Sequence, residues 1–228
     1  MIIAISQRNI KMAEGANRDA LENDYIEYFK KFDIMLLPIP NAFDDVNGYF
    51  NDIPIKGIIL SGGNDVNPSL YGKKLKDEDF SERRDNTEKE LIEIAIKRKL
   101  PVLGICRGVQ FINVFFKGGI IQDIKAKTGI SHIGINHSVR IIGDRASEFF
   151  NKKEFMVNSY HKQGIDKNSL SAELKPFAIS EDGIIEGVYH PRHAIAGVQW
   201  HPERKSQNEE FNKSIINAFL NMELFWKK

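Results

Sequence analysis

The sequence predicts an α/β protein in which helices flank a central, mostly parallel sheet. Short apolar runs alternate with longer segments of helical period, and no internal repeat or linker divides the chain. This alternation is typical of sheets built by crossover connections. With 228 residues and 42% hydrophobic residues, the chain is long enough to bury one large core. We therefore expect one domain over residues 1–228.

The first half of the chain shows the clearest alternation. Apolar runs at residues 2–5, 34–37 and 57–60 predict strands, and Pro38 is expected to end the second. Large apolar side chains recur three or four positions apart over residues 17–32, which predicts an amphipathic helix.

The second half predicts further elements of both kinds. Asp85, three residues before Glu88, resembles a capping box and predicts a helix start. We expect helices at residues 85–99, 109–116 and 205–222, a strand at 101–105, and a hairpin of 177–180 with 184–189. The pattern from about residue 120 to 200 is more β-like, and we also expect an additional small antiparallel β element.

Composition and charge exclude several classes of protein. Lys and Arg number 32 against 31 Asp and Glu, so no basic surplus supports non-specific nucleic-acid binding. No apolar run is long enough to span a membrane, and the N-terminus lacks the pattern of a signal peptide. We expect a cytoplasmic protein, and the near-neutral charge is compatible with a homodimer.

The single cysteine is the most informative residue. Cys106 cannot form an intramolecular disulfide, and it lies in the pattern Gly104-x-Cys106-x-Gly108 between a predicted strand and a predicted helix. This spacing is typical of a nucleophile elbow, where side chains on the flanking residues would collide. The alternative is a buried structural cysteine, since free cysteines are commonly buried. The flanking glycines favour the nucleophile.

A second motif can supply the base. His201 is followed by Pro202 and Glu203, and a carboxylate so placed can orient the imidazole of a Cys-His-Glu triad. The alternative is a helix start with Pro202 at its first position.

A third motif, Gly62-Gly63, follows a predicted strand. Adjacent glycines let a backbone N–H approach a developing oxyanion, and the N–H of Arg107 is the natural second donor. A simple turn is the alternative.

Together these motifs resemble the class I glutamine amidotransferase superfamily, and within it the γ-glutamyl-γ-aminobutyrate hydrolase group, peptidase family C26. The segments that carry the resemblance are residues 62–72, 84–88, 104–110, 118–124, 157–163 and 197–203.

The resemblance implies a class I glutamine amidotransferase-like, flavodoxin-like fold and hydrolysis of a small γ-glutamyl amide through a thioester. Cys106 would be the nucleophile, His201 the acid and base, and Glu203 its orienter. The amides of Gly63 and Arg107 would form the oxyanion hole, while Gly62 and Gln110 would contact substrate. No metal or organic cofactor is required. The chain departs from the family at Tyr160, which leaves the leaving group open.

Other polar residues are candidates for substrate binding. Arg84 and Asp85 could face the glutamyl carboxylate and amine, although Asp85 is equally explained as a helix cap. A polar cluster after a predicted strand could line the site or form a solvated turn; it comprises Asn158, Ser159, His161 and Gln163.

The sequence argues against a zinc site. His132 and His137 are five residues apart, with no cysteine or paired carboxylates near them in the sequence. We therefore expect no metal.

Two further functions remain open beside hydrolysis. One is a glutaminase subunit that delivers ammonia to a separate synthetase. The other is a catalytically silent module that binds a small molecule. The second is disfavoured because all three triad positions hold competent residues.

Overall fold

A computed structural model describes residues 1–42, 45–74, 79–223 and 225–226. Its strands are β1 (Ile2–Ser6), β2 (Arg8–Lys11), β3 (Asn17–Ala20), β4 (Met35–Ile39), β5 (Ile55–Leu60), β6 (Val102–Ile105), β7 (Ile133–Ile141), β8 (Glu154–Tyr160), β9 (Lys175–Ser180), β10 (Ile185–Tyr189) and β11 (Ile195–Val198). Its α-helices are α1 (Asn23–Lys30), α2 (Val46–Asp52), α3 (Glu82–Arg98), α4 (Arg107–Phe115), α5 (Ile124–Thr128), α6 (Asp144–Phe150) and α7 (Glu209–Leu220).

One large sheet organises the described residues, with strand order β4-β1-β5-β6-β11-β10-β9-β7-β8. Pairing is parallel from β4 to β11 and antiparallel from β11 to β8. We call these the parallel half and the antiparallel half. The predicted mostly parallel α/β sheet is confirmed, and the predicted hairpin is β9 with β10.

The parallel half is buried on both faces. Strands β5, β6 and β11 are apolar along nearly their whole length, as expected where helices cover both sides. One buried cluster includes Leu91 of α3 and Ile112 of α4. The other includes Phe29 of α1 and Phe219 of α7. The sheet is therefore the middle of three layers.

The small antiparallel element lies where a helix was predicted. Residues 17–20 form β3, which pairs with β2 in a separate sheet, so the helix prediction for 17–32 was wrong at its start. Asp19 explains the difference, because it accepts hydrogen bonds from the Asn9 side chain and from the backbone N–H of Asn41 at 2.8 Å each. These tertiary contacts outweigh the helical period of the segment.

Three other predicted starts or ends of helices and strands differ from those in the structure. Helix α3 is capped by Ser81, whose hydroxyl accepts from the N–H of Arg84, so Asp85 lies within the first turn rather than at the cap. Pro38 lies inside β4, paired with Ile5, and an edge strand tolerates it because one side makes no ladder bonds. The motif at His201 is a turn, since α7 begins only at Glu209.

None of the described helices is long and apolar enough to cross a membrane.

Candidate active site

The carboxyl ends of the parallel strands converge on one edge of the sheet. Cys106 directly follows β6, Gly62 lies two residues beyond β5, and His201 lies three residues beyond β11. In open α/β sheets, ligands bind at this edge. The structure thus brings together the three motifs that the sequence singled out.

Cys106 has the backbone conformation of a nucleophile elbow. Its φ is 54° and its ψ is −105°, a strained conformation for an L-residue that costs about 1–3 kcal/mol. A Cβ on Gly104 would lie 2.6 Å from the carbonyl carbon of Gly108, and one on Gly108 would lie 2.1 Å from the Leu60 carbonyl oxygen. Both glycines are therefore required for the close packing of strand, turn and helix.

The imidazole of His201 lies between a carboxylate and the cysteine. His201 Nδ1 is 2.5 Å from Glu203 Oε1, and Cys106 also lies close to the ring. Burial alone would lower the pKa of His201, but the neighbouring Cys106 and Glu203 outweigh burial and raise this pKa to about 10. The imidazolium form of His201 is therefore favoured beside the cysteine.

The Gly62-Gly63 segment lies against this pair. A Cβ on Gly62 would lie 3.0 Å from His201 Cε1 and 3.7 Å from Cys106 Cβ. The N–H of Gly62 already donates to Tyr25 Oη at 2.9 Å, so the next amide, that of Gly63, is the candidate oxyanion donor. Gly63 has a φ of 119°, which favours glycine.

Tyr25 belongs to the site although the sequence did not single it out. Its side chain is buried, and burial followed by the charge of Glu203 raises the pKa of its phenol well above the usual value. Tyr25 therefore remains a neutral hydroxyl that fixes Gly62. Its sequence position, on the apolar face of a helix, is typical of an ordinary core residue.

Buried ion pairs lie behind the Gly62-Gly63 segment. Glu88 accepts from Arg84 Nε at 2.9 Å and from Arg107 Nη1, while Arg107 Nη2 pairs with Asp85. Arg84 Nη2 also donates to the carbonyl of Ser61 at 2.8 Å. Burial would raise the pKa of Glu88, but Arg107 and Arg84 outweigh it and lower the pKa. The network ties α3, α4 and the end of β5 together.

This network changes the interpretation of Arg84 and Asp85. Both side chains are buried, and Asp85 also accepts from the N–H of Asn67 at 3.3 Å. Arg84 retains one donor, Nη1, without a hydrogen-bond partner among the described residues, and this atom lies against Gly63. The two side chains therefore support the site from behind.

The predicted polar cluster reaches the site through one residue. Asn158 Oδ1 accepts from the N–H of His201, and Asn158 Nδ2 donates to its carbonyl, both at 2.8 Å. Ser159 donates instead to the carbonyl of His132 at 2.6 Å, and His161 lies beside Glu186. Asn158 thus joins the antiparallel half of the sheet to the catalytic histidine candidate.

Gln110 and Tyr160 flank this arrangement. Gln110 Nε2 donates to the carbonyl of Gln163 at 3.0 Å and to Gln199 Oε1 at 3.1 Å. Tyr160 is 46% exposed and meets the ring of His201 edge-on at 5.8 Å. The guanidinium carbon of Arg204 lies over that tyrosine ring, 4.7 Å from the ring centroid. An exposed aromatic ring therefore borders the imidazole, and a guanidinium lies over that aromatic ring.

A family model for peptidase C26 matches residues 1–203. The chain belongs to this family. It is a glutamine amidotransferase-like hydrolase, as its relatives in the family indicate, and the resemblance inferred from its motifs is confirmed.

Two curated relatives of this peptidase C26 member cover nearly its whole length. A γ-glutamyl-CDP-amidate hydrolase of Campylobacter jejuni is 34% identical over 209 residues, which cover 90% of this chain and 92% of the relative. The γ-glutamyl-γ-aminobutyrate hydrolase PuuD of Escherichia coli K12 is 26% identical, covering 91% and 87%.

Solved structures share the fold. The glutaminase domain of Trypanosoma brucei CTPS superposes with a TM-score of 0.66 at 14% identity, covering 97% of this chain and 94% of that domain. A glutamine amidotransferase from Thermotoga maritima gives a TM-score of 0.61 at 16% identity, covering 97% and 83%. The predicted fold class is confirmed.

Proposed function

We propose that this protein hydrolyses the γ-glutamyl amide bond of a small molecule, with Cys106, His201 and Glu203 as a catalytic triad. The observation that carries the proposal is the position of Cys106, strained at positive φ beside an imidazole that Glu203 orients at 2.5 Å. Two relatives whose names state γ-glutamyl hydrolysis add support.

The proposed reaction has two steps. The Cys106 thiolate attacks the γ-carbonyl carbon, the C–N bond breaks, and the His201 imidazolium gives its proton to the leaving amine. Water, deprotonated by the now neutral His201, then attacks the thioester carbonyl and the C–S bond breaks, which releases glutamate and restores the Cys106 thiolate and the His201 imidazolium. The N–H groups of Gly63 and Arg107 would stabilise the oxyanion, aided by the positive end of α4.

Substrate recognition divides the predicted residues into two groups. We assign Gly62 and Gln110 to direct contact with the glutamyl part. Gln110 Nε2 also bonds to protein oxygens, so its assignment rests on the family resemblance. Five further side chains bond to protein groups, and we assign positioning roles to them: Arg84, Asp85, Asn158, Ser159 and His161. Tyr160 and Arg204, beside His201, would contact the leaving group.

The test is a steady-state assay of the purified protein. The substrates are γ-glutamyl-γ-aminobutyrate, other γ-glutamyl amines, a γ-glutamyl nucleotide amidate and glutamine. We expect release of glutamate from at least one γ-glutamyl amide to be faster than from glutamine. Clear preference for glutamine, increased by a partner protein, would instead indicate a glutaminase subunit.

The control variant is Cys106→Ala. We expect kcat to fall by about 10⁴-fold or more, because removing a nucleophile eliminates the covalent route. The far-ultraviolet circular dichroism spectrum should not change, since alanine fits the same turn. Activity that survives the substitution would exclude the proposed mechanism.

A further inference from the structure

Four side chains of the antiparallel half converge on one buried point. His132 precedes β7, His137 lies on β7, His161 follows β8 and Glu186 lies on β10. One potential ligand atom from each lies within 4.8 Å of all the others. His132, His161 and Glu186 are at least 96% buried.

The converging atoms make no hydrogen bonds. His132 Nδ1, His137 Nε2, His161 Nε2 and both carboxylate oxygens of Glu186 are buried without a hydrogen-bond partner among the described residues. Such groups are costly in a protein interior unless something pairs with them. Five unpaired atoms around one point indicate a shared partner.

The opposite nitrogen of each histidine fixes which atom faces the centre. Asp182 Oδ2 lies 3.1 Å from His132 Nε2, and the carbonyl of Gln163 lies 2.8 Å from His161 Nδ1. His137 Nδ1 lies 3.3 Å from the carbonyl of the next residue. These oxygens only accept, so each outer nitrogen carries the hydrogen. In the neutral form of each imidazole, three nitrogen lone pairs and a carboxylate then face each other, and a metal cation at the centre would pair with all four.

The spacing also fits an ion better than direct pairing. Glu186 Oε1 lies 3.4 Å from His132 Nδ1 and 3.6 Å from both His137 Nε2 and His161 Nε2. These separations exceed the usual hydrogen-bond length of about 2.7–3.2 Å. The three separations from Glu186 are close to the edge of a tetrahedron, about 3.3 Å, around an ion with ligand bonds of about 2.0–2.1 Å, and all four ligand atoms lie within 4.8 Å of one another.

We infer that His132, His137, His161 and Glu186 form a structural site for a divalent transition metal, best suited to zinc. Three imidazoles and one carboxylate suit this ion. All four positions come from protein, which is typical of structural rather than catalytic sites. The carboxylate of Asp182 lies beside the outer nitrogen of His132, and metal-binding histidines commonly have such a partner, which fixes the ring orientation.

The proposed ion would stabilise the surroundings of the active site without taking part in the reaction. The Gln163 carbonyl that faces His161 Nδ1 also accepts from Gln110 Nε2. The backbone carbonyl of Glu186 accepts from the N–H of Gln199 at 2.8 Å, two residues before His201. The ion would thus hold β7, β8 and β10 together next to the loop that carries the histidine.

Titration of the chelator-treated protein with Co²⁺ tests the inference. We expect one equivalent to bind with the visible absorption of tetrahedral cobalt, and Zn²⁺ to displace it. His137→Ala, which removes the most exposed ligand, and Glu186→Gln should each weaken binding at least tenfold. His193→Ala, outside the cluster, and Cys106→Ala should bind as the wild type does. Because Cys106→Ala is inactive under the proposed mechanism, binding is measured independently of hydrolysis.

Two outcomes would overturn the inference. One is the absence of stoichiometric Co²⁺ or Zn²⁺ binding by the wild type. The other is equal binding by His137→Ala, Glu186→Gln and the wild type. If a ligand variant does not fold, thermal unfolding of the wild type decides: Zn²⁺ should raise its Tm and that of His193→Ala, and no rise would contradict the site.

Discussion

The two halves of the sheet place polar side chains in different ways. In the parallel half, Cys106, His201 and Gly63 stand in short loops at strand ends, and backbone geometry sets their positions. In the antiparallel half, His137 and Glu186 lie on the strands themselves, and side-chain convergence makes the cluster. A site built on turns therefore leaves local sequence motifs, whereas a site built across strands does not.

Asn158 is the connection between the halves. It lies on β8 and bonds both backbone groups of His201, which follows β11. The antiparallel half therefore positions a residue of the parallel edge, and the comparison can be tested by disturbing either half or this connection.

Gly108→Ala should have the largest effect on stability. Its Cβ would lie 2.1 Å from the carbonyl oxygen of Leu60, and backbone displacement of this kind costs about 3 kcal/mol. We expect the free energy of unfolding in urea to fall by that amount. Gly119→Ala is the matched control, because its Cβ would meet only Ser169, at 3.7 Å. Equal free energies of unfolding for the two variants would show that the turn does not depend on the close approach of Gly108 to the Leu60 carbonyl.

Asn158→Ala should break the connection while leaving both halves folded. It removes two hydrogen bonds to the backbone of His201, and a displaced catalytic group can cost about 100-fold in kcat/KM. Steady-state kinetics measure the loss, and metal titration should be unchanged. The control is Asn136→Ala, an exposed residue opposite Asn158 in the ladder. A similar loss in the control would contradict a specific role for Asn158.

Glu203→Gln should affect only the site at the parallel half of the sheet. The expected shift in the pH profile of kcat/KM is the smallest of the three effects. Burial lowers the pKa of His201, while Cys106 and Glu203 raise it to about 10. Removing the Glu203 charge should lower that pKa by about one unit or more. Because the imidazolium donates a proton to the leaving amine in the proposed mechanism, the alkaline limb of the kcat/KM profile should shift to lower pH.

The matched control for that profile is Glu181→Gln, which removes an exposed carboxylate. Its alkaline limb should coincide with that of the wild type. A Glu203→Gln profile that also coincides with the wild type would contradict the role of Glu203 in setting the protonation of His201.

The sequence predicted the parallel half well. The turn at Cys106 needs glycine on both sides, so its pattern is visible in five consecutive residues. The alternative of a helix start at His201 was wrong, since Pro202 lies in a turn well before α7. Buried strands such as β5 are continuous apolar runs, which also makes them easy to locate.

The antiparallel half was predicted only coarsely. His132 and His137 have no cysteine or paired carboxylates near them in the sequence, which argued against zinc. The groups that face them, His161 and Glu186, come from distant parts of the chain. Tyr25 was missed for a related reason, because its contact with Gly62 depends on how α1 docks. Long-range strand order is not encoded in local periodicity, so these contacts could not be predicted from it.

Pro38 has a consequence for the behaviour of the protein at high concentration. It lies in β4, the strand at the outer edge of the parallel half. Proline has no N–H to donate, so a strand from another molecule cannot form a continuous ladder along this edge. The proline thus protects the sheet against edge-to-edge aggregation, and any association between copies of this chain should use another surface.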